Sequence, residues 1–161
     1  MRQSAGLLLY RVRKSSVEVL LVHPGGPFWA RRDDGAWTIP KGEFESDEAP
    51  LAAARREFLE ETGAAVQGRF DALTPVRQAG GKRVHAFAIE AEFDPATLAS
   101  NTFEIEWPPR SGRMQRFPEI DRAAWFTFAE AASKMHPAQR VWLAEIDGLS
   151  VRRTKPGASY T

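Results

Sequence analysis

Four glutamates and an arginine carry the chemistry most visible in this 161-residue chain. They lie in the stretch from Lys41 to Ala64, KGEFESDEAPLAAARREFLEETGA. The spacing predicts a helix over its second half. At 3.6 residues per turn, Glu57, Glu60 and Glu61 stand at i, i+3 and i+4 and share one stripe, with Arg56 beside it. Leu51, Ala54 and Phe58 make the opposite stripe and are expected to face a core. Asp47 is the expected N-cap, Pro50 falls in the first turn where a missing N–H is tolerated, and Gly63 sits where a helix would end in a left-handed residue. Three carboxylates on one face raise one another's pKa. Such a stripe is either a solvated charged surface or a cage for a hard cation, and Mg²⁺ prefers carboxylate oxygens and water.

The whole stretch resembles the signature of the Nudix hydrolases, G-x5-E-x7-R-E-U-x-E-E-x-G-U, where U is bulky and apolar. The match runs through Gly42, Glu48, Arg56, Glu57, Glu60, Glu61 and Gly63. The departures are Phe58, which is aromatic, and Ala64, which is small. Both are packing positions. Seven identities at fixed spacing are far more specific than a lone glycine-rich triplet. The resemblance covers roughly residues 4 to 144. It implies an α+β fold of the α/β/α sandwich type, a mixed β-sheet between helices with the motif as loop and helix over one end. It also implies hydrolysis of a nucleoside diphosphate linked to another moiety, with Mg²⁺ or Mn²⁺ as cofactor.

Carried over residue by residue, the resemblance makes Glu57 and Glu61 metal ligands and Glu60 a ligand or the base. It adds the backbone carbonyl of Lys41 to the metal site. Arg56 then orients a neighbouring carboxylate, and Glu48 supports the site from behind. A further carboxylate is expected from the segment EIDRAAWFTF, where Glu119 is the candidate and Glu104 and Glu106 compete with it. Trp37, in GAWTIPKGE, resembles a tryptophan at the same approach in diadenosine polyphosphate hydrolases. Lys82, Arg83 and His85 begin a strand where basic residues of the family meet phosphate, and for His85 a satisfied structural role stands equally open. Arg113 lies in a basic segment that either covers substrate, packs as an insertion or makes a dimer contact.

The elements that must position these residues read as follows. Residues 4–12 and 17–23 are strands joined by a polar turn, and the second is apolar enough to be buried on both faces. Residues 24–35 form a loop rich in Gly, Pro and Asp, where Phe28, Trp29, Arg31 and Arg32 either stack a base and neutralise phosphate or cap the core. Residues 36–40 are a short strand, and 66–78 and 83–93 two more around the turn at 79–82. Residues 100–117 are expected to be a long loop. Residues 129–135 and 138–146 are helices, broken at His136-Pro137.

Composition bounds the rest. The chain is 43% hydrophobic and 27% charged, as in a soluble globular protein. One domain over residues 1–151 is expected, with a flexible tail from 152 to 161. A net charge of +1 offers no field for nucleic acid or an anionic membrane. The absence of cysteine excludes disulfides, thiolate ligands and a cysteine nucleophile. The apolar runs are too short to span a bilayer, and no long apolar region opens the chain, so a cytoplasmic monomer or homodimer is expected. The expected partner is a small nucleotide, a dinucleoside polyphosphate or an NTP first. Sugar nucleotides, NAD-like dinucleotides, ADP-ribose, diphosphoinositols and capped RNA stay open, as do oxidised nucleotides. A second class is a nucleotide-binding regulatory domain without hydrolysis. Such domains usually lose a motif carboxylate, and this chain keeps all four.

Overall fold

The computed structural model describes the backbone of residues 2–154 and side chains through residue 151. Strands β1 (Gln3–Arg13) and β2 (Ser16–Pro24) form an antiparallel hairpin. Its turn places Lys14 and Ser15 at positive φ. β6 (Lys82–Glu90) runs parallel to β1, and β9 (Ile120–Thr127) antiparallel to β2. With β4 (Asp71–Ala72) the sheet order is β4-β6-β1-β2-β9. Two short strands join off this path, β3 (Lys41–Glu43) on β1 and β5 (Val76–Gln78) on β6.

Helices cover both faces. α1 (Pro50–Thr62) brings Ala53, Ala54 and Phe58 onto Ala5, Leu7, Leu9 and Leu20. On the other face, α2 (Phe128–Lys134) and α3 (Val141–Thr154) bring Ala131, Trp142 and Ile146 onto Leu8, Tyr10, Val19 and Leu21. Alternate residues of β1 and β2 therefore enter two separate cores. That double burial accounts for their continuous apolar runs, which a sheet solvated on one face would not need. The architecture is the expected mixed sheet sandwiched between helices.

Several local expectations are corrected. α1 is capped at Ala49, which has no side-chain cap bond; Asp47 lies too early, because Pro50 takes the first helical position. Gly63 does end the helix at φ 82°, its N–H donating to the Leu59 carbonyl at 2.8 Å. Residues 36–40 are no strand; Trp37 and Thr38 make only isolated bridges to Met135 and Val22. Residues 66–78 hold two short strands instead of one long one. The expected loop at 100–117 is largely a hairpin of β7 (Thr102–Glu106) and β8 (Met114–Pro118). Its prolines and glycine sit in the turn, while TFEIE alternates as a strand does. α3 continues to Thr154, so the expected tail lies, past that residue, outside the described residues.

Phe58 is fully buried at the centre of the α1 face and meets Phe93 edge-on at 6.1 Å. Phe58→Ala is expected to lower unfolding free energy by about 3–5 kcal/mol in denaturant titration.

Candidate active site

The motif folds because each of its fixed residues answers a local need. Arg56 donates from Nε and Nη2 to both oxygens of Glu48, each at 2.9 Å. This fork-to-fork pair ties the chain before α1 to the helix itself. The same guanidinium donates to Glu57 at 2.8 Å and reaches Glu60 at 3.4 Å. One cation thus holds three carboxylates. Gly42 is required by contact: a Cβ there would collide with the carboxylate of Glu57. Gly63 is required by its left-handed backbone.

The stripe is not a solvated surface. Glu57 and Glu61 are each only 8% exposed. Burial pushes the Glu57 carboxyl upward, against the pull of Arg56, and the negative charges of Glu60 and Glu119 push it further. Burial pushes Glu61 up to about 8, although the Lys41 N–H donates to it at 3.1 Å; Glu57 and Glu119 add to the rise.

Glu119 arrives by a backbone relay. The Asn101 N–H donates to the Glu60 carbonyl at the end of α1, the Glu119 N–H to the Asn101 carbonyl, and the Gly25 N–H to the Glu119 carbonyl. These bonds of 3.0, 2.8 and 2.8 Å fasten Glu119 between the helix end and the loop after β2. Its competitors lie elsewhere. Glu104 pairs with Arg116 on the hairpin, and Glu106 accepts from the Arg110 and Gly112 N–H groups in its turn.

Glu61, Glu119 and Lys41 line one cleft of about 410 Å³. The same cleft is lined by residues that sequence reasoning did not assign to the site: Trp29, Thr38, Gln78 and His136. Trp29 belongs to the loop whose aromatic residues could stack a base, but nothing in one-dimensional spacing brings Gln78 and His136 together. The Lys41 side chain also lies here; burial and the neighbouring Lys82 lower its pKa, against the pull of Glu61, Glu43 and Glu57.

The other expected residues divide. Lys82 is near enough to act on Lys41 and stands 4.0 Å from Glu43. His85 is bonded to Gln3 at 2.7 Å and packs against Phe44, which matches the structural role. Arg83 is exposed at the start of β6, and Arg113 is exposed on the β7–β8 hairpin; neither lines the cleft. Trp37 is corrected. It is 4% exposed, donates to Asp33 at 2.8 Å and packs edge-on against His23 and Phe126. It lines a different cavity, of about 600 Å³, between Arg122 and Lys134.

Among the described residues, no three His, Asp or Glu side chains already converge at metal-holding spacing. Glu57 is turned to Arg56 and Glu61 to the Lys41 N–H. The chemistry of the donor set nevertheless fits a hard divalent cation. All donors are oxygens, and two are buried carboxylates whose ionisation the fold opposes.

The chain matches the family model described as the NUDIX domain over residues 1–146, and it belongs to that family. Among curated relatives, Nudix hydrolase 21, chloroplastic, of Arabidopsis thaliana is 32% identical over 125 residues, 76% of this chain and 58% of that protein. Nudix hydrolase 4 of the same plant is 34% identical over 130 residues, 76% of this chain and 57% of that protein. The chain thus spans little more than half the length of these relatives. An RNA pyrophosphohydrolase of Xanthomonas campestris shares 49% identity, but over only 47 residues, 28% of this chain and 22% of its own. Among solved structures, an Ap4A hydrolase binary complex from C. elegans superposes with a TM-score of 0.62 at 20% identity, over 94% of this chain and 98% of that one.

One stability consequence follows. Glu61 titrates near 8 in the fold and near the ordinary glutamate value when unfolded. Between those values the folded chain holds a proton that the unfolded chain has released. Stability therefore falls as pH rises from about 4.5 to about 8. In chelator, the melting temperature of wild type minus that of Glu61→Gln is expected to decline across this range. Added Mg²⁺ is expected to stabilise wild type most above pH 8 and to stabilise Glu61→Gln much less.

Proposed function

We propose that this chain is a divalent-metal-dependent pyrophosphohydrolase. It cleaves a phosphoanhydride bond in a nucleoside diphosphate linked to another moiety, a dinucleoside polyphosphate or an NTP before others. The observation that carries the reading is that Glu61, Glu119 and Lys41 line one cleft, with buried Glu57 close enough to raise the Glu61 carboxyl. Family membership and the names borne by its relatives, Ap4A hydrolase and RNA pyrophosphohydrolase among them, support the class.

Glu57, Glu61, Glu119 and the Lys41 carbonyl would hold Mg²⁺ or Mn²⁺, with Glu60 as a further ligand or as the base. The cation would neutralise phosphate charge and activate the attacking water. The remaining work falls to the chain. Arg56 keeps the carboxylates in one arrangement, so that no reorganisation is needed when charge develops. Lys41 and Lys82 supply the positive charge that a polyphosphate requires near an acidic cluster. Of the motif's glutamates, Glu60, held by Arg56 through contacts of 3.4 Å, is the least tightly engaged and the one best placed to accept a proton from water.

A binding role without hydrolysis is the second reading. The NUDIX domain of Shewanella oneidensis NrtR, solved with ADP ribose, superposes with a TM-score of 0.59 at 16% identity. Retention of every motif carboxylate favours catalysis.

The test is a panel of Ap4A-type dinucleotides, ordinary and oxidised NTPs, ADP-ribose, NADH and sugar nucleotides with Mg²⁺, products being identified by mass in ¹⁸O water. Selective turnover is expected, and Glu61→Gln should lower it a hundredfold or more, about 3 kcal/mol of barrier. Turnover unchanged in Glu61→Gln would remove Glu61 from the mechanism. Tight binding of one nucleotide with no turnover of any would establish the second reading.

A further inference from the structure

Two neutral side chains that line the cleft with Glu61 and Glu119, Gln78 and His136, have a hydrogen-bonding sense that the backbone fixes. Gln139 is fully buried, and its Oε1 accepts from the Ile39 N–H at 3.1 Å. A backbone N–H can only donate, so this contact orients the Gln139 amide and leaves its Nε2 as the donor. That Nε2 donates to Gln78 Oε1 at 2.8 Å. The Gln78 amide is oriented in turn: its oxygen is engaged with Gln139, and its NH₂ group remains. Gln78 lines the cleft.

His136 is fixed by the same logic. Its Nδ1 accepts from the Ala138 N–H at 3.1 Å, so in the neutral ring the proton sits on Nε2. Burial, with the charges of Lys41 and Arg140, lowers its pKa and favours the neutral ring. His136 and Gln78 line the cleft together with Lys41. Two side chains from separate elements, the end of β5 and the turn before α3, thus each keep a donor in reserve. The cleft lining thus holds acceptors in Glu61 and Glu119 and donors in Gln78 and His136.

We propose that Gln78 and His136 form a donor pair that binds a phosphate of the substrate away from the cleaved bond, with Gln139 as the residue that positions Gln78. The inference rests on the pyrophosphohydrolase reading for the identity of the ligand. A phosphate oxygen only accepts, which suits two cleft-lining side chains that each keep a donor, and Lys41 supplies the charge. The pair would fix which phosphate of a chain lies at the carboxylates, and so which bond is cut.

The test is calorimetric binding of α,β-methylene-ATP and of inorganic tripolyphosphate, both with Mg²⁺, to wild type, Gln78→Glu, Gln78→Leu, His136→Phe and Gln139→Leu. Gln78→Glu keeps the acceptor toward Gln139 and replaces the donor with a carboxylate oxygen. It is expected to weaken both ligands at least tenfold and more than Gln78→Leu does, while its melting temperature stays near wild type. His136→Phe should weaken both at least fivefold. Gln139→Leu should mimic Gln78→Leu, and combining the two should add little further loss, which a merely structural role for Gln139 would not produce. Unchanged affinity in Gln78→Glu and His136→Phe would overturn the proposal, whether or not Glu61→Gln abolishes turnover. Loss confined to the nucleotide, with tripolyphosphate unaffected, would equally overturn the assignment to phosphate. Because binding is read directly, the result stands apart from whether any nucleotide is hydrolysed.

Discussion

Like charge buried on one helix face is the constraint on which the rest of this structure depends. Glu57 and Glu61 lie one turn apart, both withdrawn from water, and each makes the other's ionisation harder. Removing a carboxylate from water costs several kcal/mol unless something offsets it. Arg56 offsets part of that cost at Glu57 and cannot offset it at Glu61. The fold then adds a third carboxylate, Glu119, through hydrogen bonds from the end of α1 to the end of β2. An arrangement that concentrates repulsion at one point carries a stability cost, and function is where such costs are usually found.

The motif was legible because every fixed position has a short-range reason that sequence spacing encodes. Gly42 makes room for the Glu57 carboxylate, Arg56 bridges to Glu48 one loop back, and Gly63 turns the chain out of the helix. The two-sided burial of β2 was legible for a similar reason, since an uninterrupted apolar run needs two covered faces. Glu119, the candidate among three in the sequence, shares the cleft with Glu61 for a topological reason: it leads into β9, which borders β2, while Glu104 and Glu106 sit on a separate hairpin.

What the sequence did not yield depends on pairings distant along the chain. Gln78, His136 and Trp29 meet only because β5, the turn before α3 and the loop after β2 converge at one end of the sheet. Trp37 reads as a ligand-facing aromatic by its neighbours, yet the packing of Phe126 and His23 around it makes it core. The hairpin at 102–118 was hidden by the prolines of its own turn, although the alternation in TFEIE was a usable signal. The N-cap moved from Asp47 to Ala49 because proline sets the first turn more firmly than an aspartate three residues before it.

On the proposed function, the fold keeps Glu61 protonated near neutral pH until a cation takes the proton's place. Calorimetric titration with Mn²⁺ at pH 7, repeated in buffers of different ionisation enthalpy, reads that exchange directly. The account predicts cation binding accompanied by release of close to one proton in wild type and far less in Glu61→Gln. Binding of equal strength with no proton released, or the same release from Glu61→Gln, would contradict it.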